Sequence, residues 1–245
     1  MNSMPRAEKP MAPLTITLTL DLHVHTNYSH DGCDSVEKII ESAIAKKLDG
    51  VAICDHDTME GFFAARKYVA DNNLDLIIIP GIEVTTSKGH LIVLGLEEGI
   101  EKGLSLEETI RIARQKEKEK EKKGTVVIIA PHPYHPFRHS IGNLCMHSGI
   151  DAIEIFNSRY FFGVANKIAR RRAARNNIVA VAGSDAHSAE CVGLTTVEVE
   201  TEVGTKQKPE LKTQVEAVLK RIKEGKVRIK SCKRTPFWVY FKQLL

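Results

Sequence analysis

Residues able to hold metal ions recur in short clusters along this chain of 245 residues: Asp21, His23 and His25, then His30 and Asp31, then Asp55, His56 and Asp57, then Glu83, His90 and His132, then Asp185 and His187. Imidazole and carboxylate donors without thiolate suit Zn²⁺, Mn²⁺ or Fe²⁺ and do not choose among them. Spacing adds geometry. In an extended chain, residues two apart point to the same side, so His23 and His25 can grip one ion together, and Asp185 and His187 repeat that spacing. A lone His-x-His is as easily a surface pair. The second such element, with His132, tips the balance toward a metal centre.

The elements that must position these groups are legible as apolar runs. Leu14–Leu22 ends at His23 and His25, and Val51–Cys54 ends at Asp55, His56 and Asp57. Leu76–Pro80 leads to Glu83, Val126–Ala130 to His132, Ala152–Phe156 to Asn157, and Ile178–Ala182 to Asp185 and His187. His90–Leu96, Thr195–Val199 and Val227–Lys230 read as further strands. Between them lie helical stretches. One follows Asp34, which is placed to form a capping box with Glu37; others run near 60–72, from Ser105 with Glu108, near 162–176, and after Pro209. Alternation of strand and helix predicts an α/β fold with a mostly parallel sheet and helices outside it. In a parallel barrel all strand C-termini share one face, so the clusters converge there.

The order of motifs is similar to that of the PHP (polymerase and histidinol phosphatase) family. The resemblance rests on Asp21-Leu-His23-Val-His25, Asp31-Gly32, Asp55-His56-Asp57-Thr58, Gly81-Ile82-Glu83, Pro131-His132-Pro133 and Gly183-Ser184-Asp185-Ala186-His187. It implies a single-domain, distorted TIM-like (β/α)7 barrel and two or three divalent ions. It further implies one ion held by His23, His25, Glu83 and Asp185, a second sharing Glu83 with His90 and His132, and a third on Asp31, His56 and His187. His30 stands beside Asp31 as the competing ligand. One or two of Asp21, Asp55 and Asp57, acidic neighbours of these ligands, are expected to orient imidazoles, with helix capping the other role, above all for Asp57.

Such a site predicts a phosphate monoesterase working through a metal-bridging hydroxide on a small phosphorylated metabolite or nucleotide. Asp185, His187 and His135 are the expected catalytic groups, with the general acid open between a metal-bound water, His135 and His187. Arg138, His139, Arg159 and Asn157 are the expected phosphate contacts, arginine's planar fork suiting phosphate oxygens. Two alternatives share the fold class. A non-catalytic or nucleic-acid-associated module should have lost ligands. An amidohydrolase would be expected to carry a bridging lysine where Glu83 stands.

Composition sets bounds. A formal net charge of +4 suits an anionic substrate but does not by itself argue for nucleic acid. Five cysteines, an odd number without Cys-x-x-Cys spacing, fit a reducing, cytoplasmic setting, with the thiols as small apolar fillers. No apolar run reaches the ~18 residues of a membrane span. Residues 1–13 are expected to form a disordered leader, 14–232 the barrel, and 233–245 a tail whose aromatics dock on the barrel. The Lys and Glu tract at 116–123 and the arginines at 170–175 read as solvated helix faces. Oligomeric state is not encoded in any motif.

Overall fold

A computed structural model describes residues 14–120, 124–160, 162–203 and 211–242. The expected leader at 1–13 and the last tail residues, 243–245, lie outside them. The described chain forms β1 (Leu14–Val24), α1 (Val36–Ala45), β2 (Gly50–Ile53), α2 (Glu60–Asp71), β3 (Ile77–Thr86), β4 (Gly89–Leu94), α3 (Leu106–Glu119), β5 (Val127–Ala130), β6 (Ala152–Asn157), α4 (Val164–Arg175), β7 (Val179–Gly183), β8 (Thr195–Val203), α5 (Leu211–Lys223), β9 (Val227–Cys232) and α6 (Phe237–Lys242). The sheet order is β7-β6-β5-β4-β3-β2-β1-β8-β9. A parallel bridge joins Val24 to Ala186, with His25 N–H donating to the Ala186 carbonyl at 2.8 Å. The end of β7 thus returns to the end of β1, and the sheet curls into a nearly closed, distorted barrel.

Two departures from the expected parallel barrel have local causes. β4 runs antiparallel to β3 and to β5, because the tight Ser87-Lys88 turn leaves no room for a crossover helix. Parallel strands need a connection of a dozen or more residues. β8 and β9 add antiparallel strands outside β1, with Leu14–Leu20 paired to β8 and Leu20–Val24 to β2.

The barrel interior holds one apolar layer. Leu18, Leu20 and Leu22 of β1, Ile77 and Ile79 of β3, Ile92 and Leu94 of β4, and Val127 and Ile129 of β5 meet Val218, Leu219 and Ile222 of α5. Helix α5 therefore seals the mouth at the strands' N-terminal ends. Residues of opposite parity, such as Ile78, Ile82, Val84, Leu91, Val93 and Ile128, pack outward under α1, α2 and α3.

The first boundary of α1 corrects an expectation. Ser35, not Asp34, is the residue before α1, and no side chain caps it. Asp34 instead accepts from Ala189 N–H at 2.9 Å, tying α1 to the loop after β7. The helix ends at Ala45, with Lys47 in the left-handed conformation, and Gly50 belongs to β2. The second capping signal behaves as read: Ser105 Oγ accepts from Glu108 N–H at 3.1 Å. All five cysteines are unpaired; Cys54, Cys145 and Cys191 are buried, while Cys33 and Cys232 are exposed rather than filling gaps. Among the described residues, no helix is long and apolar enough to cross a membrane. In the tail, Val239 is buried and Tyr240 Oη donates to the Arg159 carbonyl at 2.7 Å, whereas Phe237 and Trp238 are exposed.

Candidate metal centre

The polar groups enter the barrel by strand parity. On β3, Ile77 and Ile79 face inward, and Glu83 continues that face; on β4, His90 continues the face of Ile92 and Leu94. On β1 the parity changes. Leu18, Leu20 and Leu22 face the interior, then a register shift between Asp21 and Val24 turns Val24 outward and swings His23 and His25 in. A bulge is a common device for re-aiming side chains at a site. His132 and Asp185 lie just past β5 and β7 with φ of 29° and 52°, the left-handed region that costs a side chain energy and tends to persist at functional positions. Gly183 sits where a Cβ would come within 2.5 Å of His23 Cβ and 2.6 Å of Glu154 Oε1, so a side chain there would displace the cluster.

Glu83 is the hub. Its Oε1 lies 2.9 Å from His90 Nδ1 and 3.0 Å from His132 Nε2. Its Oε2 lies 3.1 Å from His23 Nε2, 3.2 Å from His25 Nε2 and 3.7 Å from His56 Nε2. Asp185 Oδ1 stands 3.7 Å from His23 Nε2 and 3.5 Å from His25 Nε2, and those two nitrogens face each other at 3.0 Å. On the far side, Asp31 Oδ2 is 2.7 Å from His187 Nε2 and 3.7 Å from His56 Nε2. His30 is exposed, and only its ring edge approaches the group, 5.1 Å from the His56 ring.

These donors fit divalent ions. Ligand atoms about 2.0–2.2 Å from one tetrahedral ion stand about 3.4 Å apart, the spacing found here. Three sets have ligand atoms within 4.8 Å of one another: His23, His25 and Asp185; His56, Glu83 and His90; and His25, Asp31, His56 and His187. Asp31 Oδ1 and Asp185 Oδ1 are buried without a hydrogen-bond partner. A buried carboxylate oxygen in that state is costly unless a cation meets it.

Electrostatics follow from burial and neighbours. Burial works to raise the Glu83 carboxyl, but His23, His56 and His132 hold it well below the ordinary carboxylate range. Asp185 is likewise held down, against burial, by Arg138 and His23. Burial, with Arg138 and His132 close by, pushes the His135 imidazole down to about 4, so it is neutral at pH 7.

The expected substrate contacts divide. Arg138 Nη1 meets Asp185 Oδ2 at 2.5 Å, and Arg138 lines an open cleft together with His30, Asp31, His56, Thr85, His90, Phe137 and His139. His139 is exposed, its ring 5.2 Å from that of His90. His135 is half-buried, packed edge-on 4.6 Å from the Tyr160 ring, and its Nδ1 accepts from Phe137 N–H at 3.2 Å. Arg159 is partly buried in the loop after β6. Asn157 is fully buried and donates to Glu154 Oε2 at 2.8 Å and to Asp185 Oδ2 at 3.0 Å. Both its N–H donors are thereby used, which leaves none for a phosphate oxygen. That corrects the expected phosphate contact to an orienting one.

Sequence reasoning missed Glu154. This buried residue accepts from Asn157 and from His132 N–H at 2.8 Å, and its Oε1 lies 3.1 Å from His23 Nδ1, fixing that ring. Such a carboxylate sets the tautomer of a ligating histidine. The signal was a single acid on the inward face of Ala152-Ile153-Glu154-Ile155-Phe156. Of the three aspartates, one or two of them expected to orient imidazoles, each holds backbone N–H groups, and Asp55 also the Thr26 hydroxyl. Asp21 accepts from Ser184 and Gly193 N–H at 3.1 and 2.8 Å, Asp55 from Thr26 N–H at 2.6 Å, and Asp57 from Thr85 N–H at 2.7 Å.

Barrel and donor set together define a metal-dependent phosphoesterase, a hydrolase of phosphoester bonds. The PHP domain model matches residues 21–230, and the chain belongs to that family. Among relatives, an uncharacterized protein of Methanocaldococcus jannaschii is 38% identical over 165 residues, 63% of this chain and 91% of the relative. The 5'-3' exoribonuclease Rnm of Escherichia coli is 34% identical over 110 residues, 44% of this chain, which spans only 36% of that enzyme. A two-domain Bacteroides vulgatus protein, described as containing a PHP-like metal-dependent phosphoesterase, shares the fold with a TM-score of 0.68 and 16% identity, covering 94% of this chain and 70% of that one.

Proposed function

We propose that this chain hydrolyses phosphate monoesters, of small phosphorylated metabolites or nucleotides, at a centre of two or three divalent ions. The observation that carries the reading is Glu83, whose two oxygens each face a separate set of imidazoles, the arrangement of a carboxylate bridging two ions. The ligands are assigned as His23, His25, Glu83 and Asp185 for one ion, Glu83, His90 and His132 for a second, and Asp31, His56 and His187 for a third. Ions bound there would supply an activated water and neutralise phosphate oxygens. Zn²⁺, Mn²⁺ and Fe²⁺ all suit the donors.

The chain's own residues do the rest. Arg138, anchored on Asp185, is poised to hold a phosphate oxygen at the cleft, with His139 and Arg159 as further cationic or donor groups around it. Neutral His135, beside Arg138, accepts from Phe137 N–H at Nδ1, so its Nε2–H is the group it can offer to a substrate oxygen. Asn157 and Glu154 keep Asp185, His23 and His132 in place. The boundaries assigned are a single barrel over 14–232 and a tail from 233 that packs through Val239 and Tyr240. A cytoplasmic setting agrees with the unpaired cysteines.

A second reading, action on a nucleic-acid end, is favoured by the likeness to 5'-3' exoribonucleases such as Rnm. A panel of phosphorylated metabolites, nucleotides and short oligonucleotides with added Mn²⁺, read as phosphate release, tests both. Release from monoesters that disappears in His23→Ala is the expected result. Turnover of oligonucleotides alone would favour the second reading, and no turnover by metal-loaded protein would overturn the first.

A further inference from the structure

The loop after β5 turns two consecutive side chains to opposite tasks. Arg138 points inward onto Asp185, whereas the Phe137 ring is 87% exposed and lines the same cleft as Asp31, His56 and His90. Single exposed apolar rings are common; what sets Phe137 apart is its place on the wall of the cleft that Asp31, His56, His90 and Arg138 share. The backbone around it is pinned. His135 N–H donates to the His132 carbonyl at 3.0 Å, Ser140 Oγ donates to the carbonyls of His132 and His135 at 2.7 and 2.8 Å, and Gly142 N–H donates to the Pro133 carbonyl at 2.7 Å. The residues on either side of the ring are thus anchored to the metal-site histidine itself.

We infer that Phe137 is a stacking platform that selects phosphoesters carrying a planar, base-like group. This rests on the phosphoesterase reading of the site. A phosphate held between the Asp31–His56–His90 wall and Arg138 projects the remainder of its ester along the cleft toward Phe137. An aliphatic remainder gains little from a flat ring, whereas a nucleobase offers a π-face of matching size. Stacking of one base on an aromatic side chain is worth about a fivefold to 150-fold change in affinity. Because the loop backbone on either side of it is already fixed, little backbone freedom is lost on binding, so much of that gain is kept.

The test uses the metal-loaded full chain and calorimetry with two probes, adenosine 5'-monophosphate and glycerol 1-phosphate. The wild-type protein is expected to bind the nucleotide more tightly than the glycerol ester. In Phe137→Ala the ratio of the two affinities should fall by about fivefold or more, and in Phe137→Trp it should be kept. Equal affinities in the wild type, an unchanged ratio in Phe137→Ala, or failure of both probes to bind would each overturn the inference. Phosphate release followed in the same samples separates the two readings: a preserved nucleotide preference without release sinks the hydrolytic reading and leaves the stacking platform standing.

Discussion

The two mouths of the barrel handle buried charge in opposite ways. At the N-terminal mouth, Glu117 and Asp151 meet Arg114 and Lys223. Arg114 contacts Glu117 at 3.1 Å and Asp151 at 2.5 Å, and Lys223 lies 3.4 Å from Glu117 and 3.8 Å from Asp151. Two acids are matched by two bases. Backbone groups take up spare valence, since Glu117 accepts from Gly124 and Val126 N–H and Asp151 from Ile128 N–H. At the C-terminal mouth, carboxylates crowd against six imidazoles with Arg138 as the fixed cation, and Asp31 Oδ1 and Asp185 Oδ1 stay unpartnered. The first network is complete within the protein and serves stability. The second is left incomplete by the protein, and under the proposed reading ions would complete it.

The largest effect that could break this contrast is expected at Glu83. Glu83→Gln removes the negative charge shared by both ion sets, so metal content by elemental analysis should drop and phosphate release should fall by roughly 10³-fold or more. Because His23, His56 and His132 hold the Glu83 carboxyl below its ordinary range, the metal-free variant should be less stable than metal-free wild type at pH 7. A folded Glu83→Gln protein that keeps its metal content and its phosphate release would remove Glu83 from the shared position and break the contrast.

Next in size is the opposite mouth. Glu117→Ala leaves Lys223 only Asp151 at 3.8 Å and the Val126 carbonyl and loosens α3 from α5, and unfolding in denaturant should show a loss of about 2–4 kcal/mol. That is less than a fully buried pair would lose, because the Arg114 and Lys223 side chains remain 24% and 29% exposed. Phosphate release per folded molecule should be retained. A variant that instead loses bound metal would couple the two ends and refute their separation.

How much of this contrast the sequence discloses depends on where each signal sits. The strand-end clusters at His23, Glu83, His132 and Asp185 were legible because side-chain types and barrel topology act together. His90 was legible once its parity with Ile92 and Leu94 is noticed. The hairpin was readable in principle, since the nine residues separating Pro80 from His90 are too few for a crossover. Glu154 was hidden in an apolar strand, where one acid carries no motif. The roles of Asp21, Asp55 and Asp57 were hidden for a different reason. An aspartate beside a histidine in sequence can equally hold a distant backbone N–H, and which it does depends on loop paths such as those of Ser184 and Gly193. The bulge that re-aims His23 left no trace in residue types.

Glu154 gives the next smaller test. Glu154→Gln keeps the shape but weakens the grip on His23 Nδ1 and His132 N–H, and metal affinity should fall by about 10- to 100-fold without loss of fold. Titration of metal into apo-protein would read it, and an unchanged affinity would remove Glu154 from the site.

The smallest effect is a pH dependence at the compensated end. Burial acts to raise the Glu117 carboxyl, but Lys223, the Val126 N–H and Arg114 bring it below its ordinary 4.5. A carboxyl depressed in the folded state binds its proton more readily when unfolded. Its contribution to stability is therefore complete above about pH 4.5 and is lost as pH falls through the lower folded value. Glu117→Gln, already uncharged, should be less stable than wild type at pH 6, and the difference should shrink as the pH is taken below 4.5, read as midpoints of thermal unfolding in the presence of chelator. A difference that stays constant across that range would mean the carboxylate acts through shape and hydrogen bonding rather than charge, and the matched-charge account of this mouth would fail.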